Sequence, residues 1–156
     1  MSKFWIKSKE SIADKEKWYY DACTLDTHQA YTEILNHDRS KIRSIIGHLS
    51  WGEALGNCYI KGKDKYEALN ELIGRFISLV VIVGHDDTED ILRRIREEFP
   101  RLSITDALHF ATAIKQGCQN LRTMDRDLYG LDKEQIKKIA SEFGLENFYI
   151  TRLRVN

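Results

Sequence analysis

The segment Leu79-Val80-Val81-Ile82-Val83 contains the clearest strand signal in the chain. It is continuous, apolar and rich in β-branched residues, which is typical of a strand buried on both faces of a parallel sheet. Gly84 ends this segment, and a charged helical pattern follows over residues 88–99, where Pro100 stops the helix. Because strands that lead directly into helices are the repeating unit of α/β folds, this segment predicts an α/β domain.

The rest of the chain repeats this alternation of strands and helices. The strands are predicted over residues 18–20, 42–46, 79–83, 120–124 and 148–153. The helices are predicted over residues 26–37, from about 50 to 76 with a break near 62, and over 88–99, 103–116 and 132–143. We therefore expect an N-terminal extension over residues 1–17, followed over residues 18–156 by one domain with a central, mostly parallel sheet flanked by helices.

Composition and charge exclude several classes of protein. The 156 residues include 24 Lys and Arg and 24 Asp and Glu, so the formal net charge is zero. This argues against a protein that coats nucleic acid through bulk electrostatics. The chain shows no signal peptide, and no segment approaches the roughly 20 apolar residues that span a bilayer. Cys23, Cys58 and Cys118 form no CxxC pair, which favours reduced cysteines in a cytoplasmic protein over a zinc ribbon.

Four acidic residues occupy positions that an α/β fold brings to one end of its sheet: Asp21, Glu53, Asp106 and Asp125. Asp21 and Asp125 directly follow predicted strands, and open α/β sheets bind their ligands at the carboxyl ends of strands. Carboxylates that converge cannot all remain ionised unless cations neutralise them. The pattern therefore predicts a divalent-metal site and, with it, phosphate chemistry.

Each of these acids also has a purely structural alternative. A strand-end acid such as Asp21 can cap the helix that follows it. The two helical acids fit the capping-box spacing, in which a serine caps the helix and an acid three residues later reaches back: Ser50 with Glu53, and Ser103 with Asp106. Spacing alone favours the structural interpretation for the helical acids and leaves the strand-end acids evenly balanced.

Three further residues lie near these acids. His109 follows Asp106 by one turn and could share its helix face, although a single histidine on an apolar helix is more often packed and hydrogen-bonded. Thr123 and Asp127 flank Asp125, where they could orient a metal-bound water or a second ion, and Asp127 could equally be solvated. The chain has no GxSxG, P-loop or GxGxxG motif, which favours chemistry carried out by a metal and water.

Three segments have the form of one family's motifs: Tyr19-Tyr20-Asp21-Ala22-Cys23, Ser103-Ile104-Thr105-Asp106-Ala107-Leu108-His109-Phe110-Ala111-Thr112-Ala113, and Leu121-Arg122-Thr123-Met124-Asp125-Arg126-Asp127-Leu128. The first segment is similar to a strand that ends in the family's first aspartate. The helical segment resembles the family's Asp-Ala-Leu-His-x-Ala-Thr-Ala helix, and the last segment resembles its Thr-x-Asp-x-Asp strand end. Through these segments the chain resembles the PIN domain, the fold of VapC-type toxin ribonucleases and related nucleases.

The resemblance to the PIN domain implies a metal-dependent endoribonuclease that hydrolyses RNA phosphodiester bonds. The implied metal ligands are Asp21, Glu53, Asp106, Asp125 and Asp127, with Thr123 in support. Hard oxygen ligands suit Mg²⁺ or Mn²⁺, which would generate the attacking hydroxide and stabilise the leaving oxygen. A toxin would also have a small antitoxin protein as partner, and a homodimer is expected.

Two features depart from the family pattern and weaken assignment to the toxin branch. Ala22 follows the first aspartate, where the family often has Ser or Thr, and compact toxins lack an extension such as residues 1–17. The alternative is a non-catalytic PIN-like module that binds RNA or protein. Retention of all four acids favours the enzyme, because a module without catalysis has no need of mutually repulsive carboxylates.

Overall fold

The computed structural model describes residues 16–60 and 64–155 of the chain. The predicted N-terminal extension therefore lies outside the described residues except for Glu16 and Lys17. The strands are β1 (Lys17–Tyr20), β2 (Arg43–Gly47), β3 (Val80–Val83), β4 (Asn120–Thr123) and β5 (Tyr149–Arg152). The helices are α1 (Ala22–Leu25), α2 (His28–Arg39), α3 (His48–Ile60), α4 (Lys65–Phe76), α5 (Glu89–Glu98), α6 (Ile104–Lys115), α7 (Arg126–Tyr129) and α8 (Lys133–Glu142).

The five strands form one parallel sheet in the order β3-β2-β1-β4-β5. The central strand β1 pairs in parallel with β2 on one side and with β4 on the other, so that Tyr19 lies opposite both Ile45 and Leu121. The remaining pairs, β2 with β3 and β4 with β5, are also parallel. All five strands therefore end at the same edge, and residues that follow β1 and β4 are neighbours there. The predicted α/β fold with helices around a parallel sheet is confirmed.

Helices pack on both faces of the sheet because successive strand residues point to opposite sides. Tyr19 belongs to the core on one face, where α5, α6 and α8 pack and where the rings of Phe110 and Phe148 stack with centroids 5.7 Å apart. Tyr20 belongs to the core on the other face, which includes Ile34 of α2 and Phe76 of α4. Two buried tyrosines in succession thus fix the register of β1 against both layers.

The strand that gave the strongest sequence signal lies at the edge of the sheet. Residues Val80–Val83 of β3 are half-buried, because this strand pairs only with β2. The expectation that it is buried on both faces was wrong: β-branched composition indicates a strand but does not give its place in the sheet.

The boundaries of the helices also refine the predictions. The helix expected from about Ser50 begins at His48, directly after β2, and ends at Ile60, while α4 begins at Lys65. The break predicted near residue 62 lies outside the described residues, which stop at residue 60 and resume at residue 64. None of the helices in the described ranges combines the length and the apolar character that crossing a membrane requires.

Candidate metal centre

Asp21 lies at the carboxyl end of the central strand and is 6% exposed. It occupies the N-terminal cap position of α1, but its side chain makes no capping hydrogen bond. Its Oδ2 accepts a hydrogen bond of 2.5 Å from the hydroxyl of Thr123. Its Oδ1 is buried and has no hydrogen-bond partner. Since buried polar atoms almost always have a partner, an unpartnered carboxylate oxygen here indicates a ligand position.

Thr123, the last residue of β4, connects the two strand-end acids. Its hydroxyl donates to Asp21 and accepts a hydrogen bond of 2.9 Å from the backbone N–H of Asp125. Thr123 is fully buried, so this hydroxyl does not exchange its partners for water. Thr123, which was predicted to support the site, therefore fixes the position of the Asp21 carboxylate relative to the Asp125 backbone across neighbouring strands.

Three carboxylates converge beside this connection: those of Asp106, Asp125 and Asp127. Each offers one oxygen, and these oxygens all lie within 4.8 Å of one another. Two of the three also take part in helix caps. The Asp125 side chain accepts a hydrogen bond from the backbone N–H of Asp127, and Ser103 caps α6 by accepting one from the N–H of Asp106. The capping and metal-binding interpretations are thus compatible, since the caps position the carboxylates that converge.

Mutual repulsion and burial raise the pKa of two of the acids. The pKa of Asp21 rises to about 6, first because of burial and then because of the negative charges of Asp125 and Asp106. The pKa of Asp106 also rises to about 6, through burial and then through the charge of Asp125. The usual value is near 4. Because the charges of Asp125 and Asp106 raise the pKa of Asp21, Asp21 belongs to the same electrostatic group as the three converging carboxylates.

The donor set fits a hard divalent cation. Carboxylate oxygens are the ligands that Mg²⁺ and Mn²⁺ prefer, and a bound cation would relieve the repulsion within this acidic group. The unpartnered Oδ1 of Asp21 supplies an observation that does not depend on the number of acids present. We name the set of Asp21, Asp106, Asp125 and Asp127 the acidic cluster.

Glu53 is the predicted ligand with the least support from the structure. It is exposed on α3 and is absent from the group of carboxylates that could share an ion among the described residues. The capping box proposed for it was wrong, because α3 begins two residues before Ser50 and the Ser50 hydroxyl instead lies 3.3 Å from His109 Nδ1. A role for Glu53 in metal binding remains a prediction.

His109 is packed in the core and hydrogen-bonded, which is the structural alternative considered for it. Its Nδ1 lies 2.8 Å from the hydroxyl of Tyr19, and the side chain is 3% exposed. Burial, with a smaller contribution from the nearby His85, lowers the pKa of His109 to about 4. A neutral imidazole therefore shares a hydrogen bond with the Tyr19 hydroxyl, one helical turn from Asp106.

His85, which the sequence did not single out, extends this polar network. Its Nε2 accepts a hydrogen bond of 3.1 Å from the backbone N–H of Leu49. The neutral ring consequently carries its proton on Nδ1, which donates over 2.7 Å to the hydroxyl of Thr112. That hydroxyl donates in turn to the carbonyl of Leu108. His85 thus joins the first turn of α3 to α6, through partners 36 and 27 residues away in sequence.

The fold and the acidic cluster define a class of small α/β proteins with a carboxylate site at the end of a parallel sheet. Within it, the chain belongs to the PIN domain family, whose sequence model matches residues 14–134. The resemblance inferred from the motifs is confirmed. Among curated proteins, none matches this chain significantly.

Solved structures that share the fold include those of two microbial proteins. A chain of the VapBC2 complex from Rickettsia felis, bound to a DNA fragment from the promoter, is 13% identical and superposes with a TM-score of 0.62. The match covers 88% of this chain and 99% of that chain. PAE2754 from Pyrobaculum aerophilum is 22% identical, with a TM-score of 0.58 and coverage of 81% and 96%. At these identities the structures support the fold of this chain.

Proposed function

We propose that this protein is a metal-dependent endoribonuclease that hydrolyses RNA phosphodiester bonds. The observation that carries the proposal is the buried Asp21 carboxylate, which has an unpartnered oxygen and shares an electrostatic group with Asp106, Asp125 and Asp127. Membership of the PIN family supports it, since PIN domains are commonly metal-dependent nucleases.

The acidic cluster would hold one or two Mg²⁺ or Mn²⁺ ions, and Glu53 is a further proposed ligand. A bound divalent ion supplies a water of lowered pKa and positive charge for the phosphate. The chain's own residues prepare the ligands: Thr123 fixes Oδ2 of Asp21 and leaves Oδ1 unpartnered, while the caps of α6 and α7 hold the other carboxylates in place.

Protonation of the cluster gives the proposed activity a pH dependence. The pKa values of Asp21 and Asp106 are each raised to about 6. Below that pH, protons compete with the metal for these carboxylates; above it, both are ionised and attract a cation. Metal affinity is therefore expected to rise with pH until about one unit above these pKa values and to level off beyond.

The same scaffold could serve a non-catalytic module that binds RNA or protein. A binding module gains nothing from keeping Asp21 buried with an unpartnered oxygen and a raised pKa, because that arrangement lowers stability. The enzyme is therefore the function that the geometry supports better.

Likeness to a chain of a VapBC2 complex supports a role as the toxin of a toxin–antitoxin pair, with an antitoxin protein as partner in the cytoplasm. A homodimer is also proposed. Its support is an exposed apolar stripe formed by Tyr66 and Ile73 of α4 and by Ile77, which follows α4. These side chains are 70%, 39% and 52% exposed. Ile73 and Ile77 lie seven and eleven residues after Tyr66, a spacing that places all three on one helix face.

Cleavage of a fluorophore–quencher RNA in Mg²⁺ or Mn²⁺ tests the proposed activity. Asp21→Asn and Asp106→Asn are each expected to reduce cleavage by at least about 100-fold, since they remove ligand charge at the reacting phosphate. Asp90→Asn is the matched control, because Asp90 is an exposed acid on α5 whose carboxylate pairs with Arg93. Cleavage that persists in excess EDTA, or in either cluster variant, would contradict the proposal.

A further inference from the structure

A second surface feature lies beside the acidic cluster and carries the opposite charge. A cleft of about 420 Å³ opens between α7, the first turns of α8 and the edge strand β5. We name it the basic cleft. The residues that give it its character are Tyr129, Lys133, Tyr149, Arg152 and Arg154.

The three cations of the basic cleft have no acidic partner among the described residues. No carboxylate lines the cleft, and no described Asp or Glu forms an ion pair with Lys133, Arg152 or Arg154. Other cations of the fold do form such pairs: Arg94 binds Glu98 and Glu142, and Arg122 binds Glu33. In a chain of zero net charge, an unpaired cluster of three cations concentrates positive potential at one place on the surface and attracts an anion there.

Flat aromatic rings accompany these cations. The guanidinium carbon of Arg152 lies 5.3 Å from the centroid of the Tyr129 ring. Nζ of Lys137, which is not among the residues that line the cleft, lies 4.7 Å from the centroid of the Tyr149 ring. Tyr149 is 42% exposed although it is a large aromatic residue. Tyr129 is half-buried. Cations along a groove, interleaved with rings that are at least partly exposed, are the combination that binds unpaired nucleic acid: the cations contact phosphates and the rings stack on bases.

Backbone hydrogen bonds tie the cleft directly to the acidic cluster. The N–H of Tyr129 donates to the carbonyl of Asp125 over 3.1 Å, so one turn of α7 separates them, a rise of about 6 Å. Arg152 is the register partner of Thr123 across β4 and β5, and Thr123 binds Asp21. A bound polymer that extends from the acidic cluster along α7 therefore reaches the basic cleft within the length of a single helical turn.

We propose that the basic cleft binds an unpaired segment of RNA adjacent to the phosphodiester held at the acidic cluster. The proposal rests on the proposed nuclease function for the identity of its ligand, and its binding test does not depend on cleavage. Single-stranded RNA fits better than a duplex, because bases already stacked in a helix do not offer their faces to Tyr129 and Tyr149.

Binding of a fluorescein-labelled, twelve-nucleotide single-stranded RNA to the full chain in EDTA, followed by anisotropy, tests this proposal. The test variant is the triple substitution Lys133→Gln, Arg152→Gln and Arg154→Gln. The matched control is Arg39→Gln, Arg93→Gln and Lys115→Gln, which removes the same charge from exposed positions outside the cleft. A charge-preserving triple, Lys133→Arg with Arg152→Lys and Arg154→Lys, tests whether any loss is due to charge.

The test triple is expected to lower affinity by about 100-fold near 0.1 M salt and to reduce the slope of log K against log salt by about 2, since each lost phosphate contact removes about 0.7 from that slope. The control triple and the charge-preserving triple are expected to stay within about threefold of wild type. Tyr129→Leu is expected to weaken binding by about tenfold, through lost stacking, without changing the salt slope.

Several results would overturn the proposal. Affinity of the test triple within about threefold of wild type, or equal losses in the test and control triples, would remove the cleft from RNA binding. Duplex RNA that binds as tightly as the single strand would exclude an unpaired ligand, and a polyglutamate peptide that binds more tightly than RNA would indicate an acidic protein segment. A wild type that binds RNA through the cleft but does not cleave it would overturn the nuclease and leave this inference standing.

Discussion

Two polar groups, the histidine network and the acidic cluster, lie on the same elements of this fold and differ in almost every electrostatic respect. Tyr19 and Asp21 are two residues apart at the end of β1, and His109 and Asp106 are one turn apart on α6. In the histidine network, Tyr19 with His109 and His85 with Thr112 form close, neutral hydrogen bonds. In the acidic cluster, like charges converge and Oδ1 of Asp21 has no partner.

The difference separates a stabilising group from a candidate functional group whose residues are two or three positions apart in the sequence. Neutral groups with satisfied hydrogen bonds stabilise a buried site, so the histidine network holds α3, α6 and the sheet together. The acidic cluster opposes folding in the absence of a cation, because burial and repulsion both disfavour its charged form. A group that lowers stability and is nevertheless held firmly by Thr123 and two helix caps is expected to serve a ligand.

The largest expected effect comes from breaking the neutral network at Gly47. A Cβ atom there would lie 2.2 Å from the Tyr19 hydroxyl oxygen and 2.6 Å from His85 Cε1, so both side chains must move. Gly47→Ala is expected to reduce the free energy of unfolding by about 3 kcal/mol, measured by urea denaturation. Gly56→Ala is the control, since a Cβ at this helical position meets nothing within 4 Å. Equal stability of the two variants would show that the network is not closely packed.

Removing a charge from the acidic cluster is expected to increase the free energy of unfolding, whereas Gly47→Ala decreases it. Asp21→Asn keeps the shape of the side chain and removes a carboxylate whose pKa is raised to about 6. At pH 8 in EDTA the free energy of unfolding of the variant is expected to exceed that of wild type by up to about 3 kcal/mol, because the pKa is raised by about two units and each unit corresponds to about 1.4 kcal/mol. A variant less stable than wild type under these conditions would contradict a destabilising role for the Asp21 charge.

A smaller effect is expected in the pH dependence of stability. A carboxyl whose pKa is higher in the folded state than in the unfolded state stabilises fully below its unfolded pKa and loses that contribution as pH rises through the folded value. Asp21 and Asp106 are such groups, so their contribution should decline between about pH 4 and pH 7 in EDTA.

Acids whose pKa is lowered by folding offset part of this decline in the free energy of unfolding. Glu142 is one of them, because Arg94 lowers its pKa. The comparison of wild type with Asp21→Asn isolates the decline: their difference in unfolding free energy should grow from pH 4 to pH 7 in EDTA and shrink when Mn²⁺ is added. A difference that is constant with pH would show that repulsion within the cluster is weak.

The smallest effect on stability is expected at Glu53. The side chain is exposed, so Glu53→Gln should change the free energy of unfolding by less than about 0.5 kcal/mol. If Glu53 is a metal ligand, the same substitution weakens Mn²⁺ binding in a titration monitored by electron paramagnetic resonance. Unchanged Mn²⁺ affinity would remove Glu53 from the site and leave the acidic cluster as its whole ligand set.

Most of the fold could be predicted from local sequence, because its elements carry local signals. Ser103 and Pro100 bracket the loop before α6, and the predicted strand at 120–124 differs from β4 by one residue. The position of β3 in the sheet could not be predicted, since strand order is set by packing between distant segments. The first residue of α3 was missed because the helix follows β2 without an intervening loop.

The candidate site was predicted in part for the same reason. Because Asp21 and Asp125 directly follow strands, they were expected at one edge of the sheet. The short helix α7 also brings in Asp127, which by sequence alone could equally have been solvated. The histidine network could not be foreseen, because His85 and Leu49 are 36 residues apart and Ser50 and His109 are 59 apart. The mostly apolar helical segment around His109 in the sequence was the sign that it is a packed residue.

The most direct test of the central claim is a calorimetric titration of the full chain with Mn²⁺ at pH 8. The acidic cluster is expected to bind at least one ion in the wild type and in Asp90→Asn, and to lose at least about tenfold in affinity in Asp21→Asn and in Asp106→Asn. Wild-type protein that binds no Mn²⁺, or binds it equally well in all four proteins, would contradict the claim that this edge of the sheet is a metal site.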